Sequence, residues 1–495
     1  MRTGLDRRKF LVFCSGIAAR SLFASTSRLV EDRRVSLAAI SKDPLRPQYH
    51  LLPAANWMND PNGPIYWNGN YHIFYQYNPG GAKWGDMHWA HAVSPDMIHW
   101  RHMPVAVSPR PNGPDRDGCF SGSTIIHNGI PTILYTGVRS TSPENATLRD
   151  GTHNFHESQC LAICQDPELR WWTTLPAPVI ASPPIGMTVT GFRDPCVWKD
   201  GSWWYMALGS GISKKGGCVL LYRSRSLRSW EYLHPLIVGR WNGESHIDPV
   251  DSGEMWECPD FFELDGQHVL LYSTERKVSW LIGQLDRASM TFHPQSHGLL
   301  DTGAFYAPKS MLDEHGRRVL WGWIPETRPE SQYEQAGWAG SMALPRVLKV
   351  NCDNMLEIRP LPELQSLRLS DQGRSRSFNA FRGEVIATTF GPGSIRLGSE
   401  LHPYVTIVYS SATPLKVSID GKDQLIRSSL DGVLSIHIFM DGSIIEVFIN
   451  NAVAHTKRVY DLNLASMLTP VSIMGDTRTL VVRELSPISR NRLTT

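Results

Sequence analysis

Residues 60–76, DPNGPIYWNGNYHIFYQ, contain two apolar runs that are separated by Asn68 and Gly69. Asn-Gly between two such runs is the strongest short-range signal for a β-hairpin. Three further segments carry Asn-Gly or Asp-Gly at the same place, and a fourth carries His-Gly. These segments are SGSTIIHNGIPTILYTG from 121, DPCVWKDGSWWYMALG from 194, CPDFFELDGQHVLLYST from 258 and YAPKSMLDEHGRRVLWGW from 306. The chain therefore contains one hairpin pattern five times.

A second short element follows most of these hairpins and ends on an aromatic residue. It reads SPDMIHW up to Trp100, QDPELRWW up to Trp172, SRSLRSW up to Trp230 and, more weakly, LDRASMTF up to Phe292. A four-stranded unit that recurs at intervals of about 60 to 70 residues, and cannot bury both faces alone, is typical of a β-propeller. We therefore predict a five-bladed β-propeller over residues 46–345. A plain all-β sandwich would explain the hairpins but not the recurring second element.

The C-terminal part of the chain differs in composition. All 17 tryptophans lie between Trp57 and Trp338. We predict a linker over residues 346–365 and an antiparallel β-sandwich over 366–490. The sandwich prediction rests on LSIHIFM at 434–440, whose apolar residues alternate, followed by a turn and the partner strand IIEVFIN. The expected fold is all-β, with a propeller followed by a sandwich.

The charge and the cysteine content limit the classes of partner. The chain has 49 basic and 47 acidic residues and a formal charge of +2, which gives no electrostatic footprint for nucleic acid. A neutral partner fits better. The 8 cysteines have neither the density of a disulfide scaffold nor paired zinc-site spacing. We predict no metal, no cofactor and at most an incidental disulfide, for which Cys160 and Cys164 are the only close pair.

The N-terminal residues 1–35 are predicted to be an export signal and a disordered leader. The segment DRRKFLVFCSGIAARSLFAS at 6–25 places two arginines before a short apolar run and small residues. Arg7 and Arg8 resemble a twin-arginine signal, although Asp6 and Arg20 depart from that pattern. We expect a periplasmic or secreted protein that is not membrane-bound after export. A merely basic, disordered N-terminus is the alternative.

Three acids open predicted hairpins: Asp60 in the first, Asp194 in the third and Glu257 in the fourth. The first strand of each propeller blade lines the central channel, so these residues are expected to converge at one end of it. Each acid alone is explained as well by a turn, because Asp60 and Asp194 precede proline and Glu257 precedes Cys-Pro. Their joint recurrence favours function, since crowded buried carboxylates are costly. Cleavage of a glycosidic bond requires such carboxylates.

The three acids lie in a set of short segments that recur in order along the chain. The segments are WMNDPNG (57–63), FYQYNP (74–79), FSGS (120–123), FRDP (192–195), WECPD (256–260), GWAGSMALPR (337–346) and FMDGSIIEVFIN (439–450). They resemble the signature blocks of the glycoside hydrolases of the invertase, levanase and inulinase type, numbered family 32, and the resemblance covers about residues 46–487.

The resemblance implies roles for individual residues. Asp60 would be the nucleophile, Glu257 the general acid/base and Asp194 the stabiliser of the transition state. Retention of configuration would place the carboxylates of Asp60 and Glu257 roughly 5 to 5.5 Å apart. The residues implied to bind the fructosyl unit are Asn59, Gln76, Trp84, Ser121 and Arg193, with Trp57 and Phe120 as an apolar rim and Trp323 and Trp338 closing another side. Trp84 and Trp338 would alternatively be core aromatics.

The resemblance implies an exported retaining β-fructofuranosidase that acts on sucrose or on terminal β-linked fructose of levan or inulin. A fructosyltransferase would use the same catalytic residues, with a sugar hydroxyl in place of water. A non-catalytic sugar-binding propeller would keep the aromatics but does not need all three acids. A five-bladed arabinofuranosidase would share three carboxylates but not the WMNDPNG and WECPD contexts.

Overall fold

The computed structural model describes residues 35–244, 246–369, 375–410, 415–426 and 433–493. The predicted export signal lies outside these residues. The described helices are short: α1 (Leu37–Ile40), α2 (Glu330–Ala336) and two 3₁₀ turns at Pro143–Asn145 and Pro362–Leu367. In the part of the chain that the structure describes, no helix has the length and apolar character needed to span a membrane.

The N-terminal strands form five antiparallel blades, which confirms the predicted propeller. Blade 1 contains β1 (Asn56–Trp67), β2 (Asn70–Asn78), β3 (His88–Ser94) and β4 (Arg101–Val107). Blade 2 contains β5 (Gly118–His127), β6 (Ile130–Ser140), β7 (Leu148–Arg149), β8 (Asn154–Cys164) and β9 (Trp172–Thr174). Blade 3 contains β10 (Val189–Asp200), β11 (Trp203–Ile212), β12 (Gly216–Ser224) and β13 (Glu231–Val238). Blade 4 contains β14 (Glu257–Leu264), β15 (Gln267–Thr274), β16 (Lys277–Asp286) and β17 (Thr291–Leu299).

Blade 5 is assembled from two separated parts of the chain. Its inner strands are β18 (Tyr306–Leu312) and β19 (Arg318–Ile324). An insertion with α2, β20 (Trp338–Ala339) and β21 (Ser341–Met342) follows. The outer strands are β22 (Arg346–Val350) and β23 (Leu356–Pro360), and β22 pairs with β19. Residues 346–360 of the segment that we predicted as a linker over 346–365 therefore complete this blade, because the free edge of its inner hairpin pairs with β22, which in turn pairs with β23.

The first strands of the blades surround the central channel. Each contacts the next, from β1 through β5, β10 and β14 to β18, and β18 contacts β1 again. The short strand β20 also pairs in parallel with β1, joining Trp338 to Asn56. The chain therefore closes the ring by bringing a late segment back to the first blade.

The recurring second element is the turn between the third and the outermost strand of a blade. One bulky residue in each copy has a positive φ: 64° at Met97, 56° at Leu169, 63° at Leu227 and 56° at Met290. These four side chains are at most 6% exposed. Left-handed backbone is unfavourable for such residues, so burial of the side chain between blades offsets the local cost.

The C-terminal strands form the predicted sandwich. They are β24 (Ser377–Asn379), β25 (Arg382–Gly398), β26 (Pro403–Tyr409), β27 (Leu415–Ile419), β28 (Lys422–Ile426), β29 (Val433–Asp441), β30 (Ile444–Ile449), β31 (Val453–Arg458) and β32 (Leu468–Glu484). The long strand β25 pairs first with β29 and then with β26, and β32 follows β25 along both parts. These two strands thus connect the layers, whose apolar side chains form one core.

A buried polar network joins the propeller to the sandwich. Arg346 contacts Asp301 Oδ2 at 2.9 Å and Glu446 Oε2 at 2.7 Å. His50 lies between Asp441 Oδ2 at 2.8 Å and Glu446 Oε1 at 3.0 Å. We call these five residues the interface network. Because buried charges are stable only when paired, the network fixes the two domains in one arrangement.

Candidate active site

A cavity of about 260 Å³ lies where the first strands of the blades begin. Ten of the twelve residues predicted for the site line it. They are Asn59, Asp60, Gln76, Trp84, Phe120, Ser121, Arg193, Asp194, Glu257 and Trp323. Four residues that the sequence analysis did not identify also line it: Leu148, Asp150, Asp248 and Tyr306.

Irregular pairing at the start of each inner strand aims side chains into this cavity. The pairing of β10 with β11 shifts between Arg193 and Cys196, and that of β14 with β15 shifts between Glu257 and Asp260. Such a bulge bends the strand and redirects its side chains. Asp194 lies within its bulge and has a φ of 65°, whereas Glu257 precedes its own. The two acids are therefore offset by one position, which differs from our expectation that they occupy equivalent places.

Asp60 is held by two short polar contacts. Ser121 Oγ donates to Asp60 Oδ2 at 2.6 Å, and Asn59 Nδ2 donates to Oδ1 at 3.0 Å. Burial raises the pKa of Asp60, and the charge of Glu257 raises it further, while the hydrogen bond from Ser121 opposes this rise. The two donors fix the orientation of the carboxylate and support its charged form.

Glu257 is bound from two sides. Tyr306 donates to its Oε2 at 2.6 Å, and Arg193 donates to its Oε1 from Nη2 at 2.9 Å and from Nε at 3.2 Å. Its side chain is 21% exposed, compared with 4% for Asp194. Glu257 is thus the more accessible of these two acids from the mouth of the cavity.

Asp194 lies deep in the cavity and is strongly perturbed. The backbone N–H of Cys258 donates to its Oδ2 at 2.9 Å. Burial raises the pKa of Asp194 to about 7, the charges of Glu257 and Asp60 add to the rise, and Arg193 opposes it. Opposing shifts of this kind are common at functional sites, where several acids share one pocket.

Cys258 lies between two of the acids. Its Sγ is 3.5 Å from Asp60 Oδ2 and also 3.5 Å from Asp194 Oδ2. Burial raises the pKa of this thiol well above its usual range. The neutral thiol is a weak hydrogen-bond donor, so it can separate the two carboxylates without adding charge.

Arg193 is anchored by an acid that the sequence did not reveal. Its Nη1 donates to Glu157 Oε1 at 2.8 Å, and the N–H of Phe192 donates to Glu157 Oε2 at 2.7 Å. Thr147 donates to the same Oε2 at 3.0 Å. Glu157 is wholly buried and thereby fixes the guanidinium that binds Glu257.

The remaining predicted binding residues provide polar and aromatic surface. Gln76 Nε2 donates to the carbonyl of Cys119 at 2.9 Å, which orients its amide. Trp84 and Phe120 pack edge to face with ring centres 5.9 Å apart. Trp84 is 39% exposed, so it is a surface of the cavity mouth and not a core aromatic. Flat aromatic faces of this kind suit the C–H surfaces of sugars.

Two predicted binding residues do not line the cavity. The indole N–H of Trp57 donates to Asn59 Oδ1 at 2.8 Å, so Trp57 supports a lining residue from behind. Trp338 is wholly buried. Its N–H donates to Asp43 Oδ2 at 2.8 Å and its ring packs against Arg328 at 4.4 Å. The alternative interpretation of Trp338 as a core aromatic is therefore correct.

Tyr306 had a recognisable signal in the sequence. It opens the fifth hairpin, at the place that Arg193 and Glu257 occupy in blades 3 and 4. Asp150 and Asp248 lie on connections outside the repeat, so the alignment of hairpins does not reach them.

The seven cysteines in the described residues are free, and Cys160 and Cys164 are not bonded to each other.

Comparison with known proteins places this site in a defined family. Residues 50–360 match the family described as "Glycosyl hydrolases family 32 N-terminal domain", and residues 397–484 match "Glycosyl hydrolases family 32 C terminal". Among curated proteins, the chain is 35% identical over 453 residues to a sucrose-6-phosphate hydrolase of Escherichia coli, covering 84% of this chain and 89% of that protein. It is 35% identical over 471 residues to a raffinose invertase of Escherichia coli, covering 87% and 92%.

Solved structures agree with this relationship over both domains. A Bombyx mori family 32 β-fructofuranosidase mutant in complex with sucrose superposes with a TM-score of 0.77 at 28% identity, covering 94% of this chain and 98% of that one. Fructan 1-exohydrolase IIa of Cichorium intybus gives a TM-score of 0.76 at 26% identity, covering 90% and 98%. On the strength of these matches and of its three convergent acids, the chain belongs to glycosyl hydrolase family 32.

Proposed function

We propose that this protein is a retaining β-fructofuranosidase, which hydrolyses sucrose and terminal β-linked fructosyl residues of fructans such as levan and inulin. The observation that carries the proposal is the pair Asp60 and Glu257 in one cavity with different surroundings. Asp60 is bound by neutral donors, while Glu257 is bound by Arg193 and Tyr306. Distinct environments allow two carboxyl groups to perform different steps of one reaction.

The first step cleaves the glycosidic bond. Oδ1 or Oδ2 of Asp60 attacks the anomeric carbon of the fructosyl unit, while Glu257 gives its proton to the departing oxygen. The bond from the anomeric carbon to that oxygen breaks, and a fructosyl ester of Asp60 remains. Ser121 and Asn59 hold the nucleophile in place, which lowers the entropic part of the barrier.

The second step releases fructose. Glu257, now a carboxylate, removes a proton from water as the water attacks the anomeric carbon, and the ester bond to Asp60 breaks. Arg193 and Tyr306 hold Glu257 through both steps. Asp194, deep in the cavity, would hold fructosyl hydroxyls and stabilise the positive charge that develops on the sugar ring.

Product analysis tests the proposal. The purified protein is incubated with sucrose, levan and inulin, and the products are separated by anion-exchange chromatography. We expect free fructose from sucrose and single fructose units from the polymers. Sustained growth of oligosaccharides at high sucrose, with little free fructose, would instead identify a fructosyltransferase. If no sugar is released at any pH from acidic to neutral, the protein would instead be a non-catalytic sugar-binding propeller.

Retention of the anomeric configuration is tested by a separate measurement. In the presence of methanol, a retaining enzyme transfers the fructosyl unit to form the methyl β-fructofuranoside. The anomeric configuration of this product is read by ¹³C nuclear magnetic resonance. Formation of the α-anomer would overturn the double displacement.

We also propose that the protein is exported, on the basis of residues 6–25 alone. In the source organism, the wild-type protein should appear in the periplasm or the medium, without its leader. Replacement of Arg7 and Arg8 by lysine should retain it in the cytoplasm if the twin-arginine route is used. Export of the variant at the wild-type level would rule out that route, and cytoplasmic wild-type protein would rule out export.

A further inference from the structure

Lys309 is a buried cation in the central channel to which the proposed reaction assigns no part. It lies on β18 and is 2% exposed. Within the described residues, its Nζ donates to the carbonyl of Pro259 at 2.7 Å and forms no ion pair with a carboxylate. Lysines are almost never fully buried unless they are paired, because the desolvation of an ammonium group is costly. The burial of Lys309 therefore indicates a role beyond packing.

Lys309 lies behind the catalytic cavity, on the side away from its mouth. A second cavity of about 620 Å³ contains the later residues of all five inner strands, and it thus marks the opposite end of the channel. Lys309, Cys196 and Asp260 line this second cavity. Asp194 and Glu257, which precede Cys196 and Asp260 on the same strands, line the catalytic cavity. Lys309 is therefore placed between the catalytic acids and the opposite face of the propeller.

The ammonium group of Lys309 holds the bulge in β14. Pro259, whose carbonyl it binds, lies inside the irregular pairing between Glu257 and Asp260. Cys258, in the same bulge, has a φ of 48°, which is unfavourable for a residue other than glycine. A strained backbone persists only where its surroundings fix it. The bond from Lys309 to the adjacent carbonyl is one such constraint.

The bulge in turn orients two of the catalytic acids. The N–H of Cys258 donates to Asp194 Oδ2 at 2.9 Å, and its Sγ is 3.5 Å from Asp60 Oδ2. Burial lowers the pKa of Lys309, but acidic groups of β10 and β14 outweigh this effect and raise it above its usual value. These groups are Cys196, Asp260, Cys258 and Asp194. The ammonium group therefore remains charged and favours the carboxylate form of Asp194.

From these contacts we infer that Lys309 is a positioning residue for the proposed reaction, which holds the β14 bulge in its active shape and supplies positive charge behind Asp194. The inference rests on the proposed function, because it requires that ionised Asp194 stabilises the transition state. Arg193 approaches Asp194 from within the catalytic cavity, at 4.0 Å. Lys309 acts from the other side and does not line that cavity, so it is not a catalytic residue.

The first experiment removes the charge of Lys309 in two ways. Lys309→Met keeps the length of the side chain, and Lys309→Gln keeps an N–H donor for the carbonyl of Pro259. In each variant, kcat/KM for sucrose at pH 6 should fall by about 10-fold, because the carboxylate form of Asp194 loses a stabilising charge. The acidic limb of the plot of kcat/KM against pH should move up by at least about 0.5 pH unit. A defect that is only structural would lower the activity without moving this limb.

Two matched variants serve as controls. Lys309→Arg keeps the charge, so its acidic limb should stay at the wild-type pH. Lys199→Met removes an exposed lysine that lines the same second cavity and packs on Trp204 at 5.6 Å, and it should leave the limb and the activity unchanged. An unmoved limb in both neutral variants of Lys309 would overturn the inference. Failure of both to fold would also overturn it, because Lys309 would then serve folding and not the reaction.

The second experiment measures stability and does not depend on activity. Asp194→Asn is introduced into the wild type and into the more stable of the two neutral Lys309 variants, and the four proteins are compared by differential scanning calorimetry at pH 8.5. Without Lys309, the folded protein stabilises the carboxylate of Asp194 less, so its replacement by a neutral amide relieves a larger cost. The rise in melting temperature caused by Asp194→Asn should therefore be at least about 1 °C larger in the Lys309 variant. Equal rises in both backgrounds would overturn the inference, whereas wild-type protein that releases no fructose would overturn the proposed function itself.

Discussion

The hydroxyl of Tyr306 donates a 2.6 Å hydrogen bond to Oε2 of Glu257. The two residues open the first strands of neighbouring blades. Burial raises the pKa of Tyr306 well above its usual range, and the charge of Glu257 adds to this. The phenol therefore keeps its proton and orients the carboxyl group that is expected to protonate the leaving oxygen.

Tyr306→Phe removes this donor and keeps the ring. We expect kcat for sucrose to fall by about 10- to 100-fold, because a misoriented acid transfers its proton less effectively. The melting temperature should remain near that of the wild type. Tyr66→Phe is the matched control, since Tyr66 donates to Glu314 at 3.0 Å in an exposed position. If the two variants had equal kinetics, Tyr306 would have no role in positioning Glu257 for catalysis.

Asp60→Asn and Glu257→Ala should each fold normally and lose activity on sucrose by on the order of 10³-fold or more. The two losses should differ on an aryl fructofuranoside, whose leaving group needs no proton. Glu257→Ala should then release a burst of one phenol per enzyme before slow turnover, whereas Asp60→Asn should show no burst. Stopped-flow absorbance measures both. Unfolding of the variants, with activity following the folded fraction, would contradict the assignment.

Asp194→Asn should stabilise the protein while reducing its activity. The folded state raises the pKa of Asp194 from 3.8 to about 7, so the folded protein holds this proton more tightly than the unfolded chain. Stability from this group is thus greatest below pH 3.8 and is lost as the pH rises to about 7. The loss is on the order of 4 kcal/mol at neutral pH.

Asparagine is neutral at every pH, so the gain in melting temperature of Asp194→Asn should be larger at pH 7.5 than at pH 4.5. Differential scanning calorimetry at the two pH values provides the comparison. A gain that does not change with pH would indicate that the carboxyl group titrates normally. Crowded carboxylates in an active site are expected to lower the stability of the folded protein while supporting catalysis.

Glu157→Ala should destabilise the protein by about 3 to 5 kcal/mol, because it leaves the buried guanidinium of Arg193 without its anchor. Glu157→Gln keeps the volume and one acceptor and should cost less. The exposed acid Glu168 lies 3.7 Å from Arg170, and Glu168→Ala should change stability by less than about 1 kcal/mol. Urea titration followed by tryptophan fluorescence measures all three. Equal effects of Glu157→Ala and Glu168→Ala would refute the role of Glu157.

The interface network should make stability depend on pH through His50. Burial by itself lowers the pKa of His50, but the hydrogen bonds to Asp441 and Glu446 outweigh this and raise it above 6.5. The stabilisation from protonated His50 is therefore complete below pH 6.5 and is lost as the pH rises through the higher folded-state value.

The difference in melting temperature between the wild type and His50→Gln should accordingly be larger at pH 6 than at pH 9. His402→Gln, which changes an exposed histidine of the sandwich, should show no such dependence. A constant difference for His50→Gln would mean that the ring is neutral throughout.

The fold could be predicted from the sequence because the hairpin pattern is repeated five times. Five hairpin signals with Asn-Gly, Asp-Gly or His-Gly turns fix strand pairs locally, and the recurring turn residues such as Met97 and Leu227 mark the outer strands. Aligning the hairpins also pointed to Asp60, Asp194 and Glu257 near the start of their strands, although Asp194 and Glu257 are offset by one position. The repeated pattern did not predict the two outer strands of blade 5 at residues 346–360. These strands follow an insertion, and their pairing across it is set by tertiary contact and not by a local turn.

The sequence alone predicted three acids at the start of the inner strands, and the structure places all three in one cavity, since turn residues and side-chain alternation act over a few positions. Only the tertiary structure showed that Tyr306 binds Glu257, that Glu157 anchors Arg193 and that Trp338 is buried beside Asp43. It also brought Asp150 and Asp248 to the lining of the catalytic cavity. These relationships join residues that are far apart in the chain, so they exist only once the ring closes and distant strands meet.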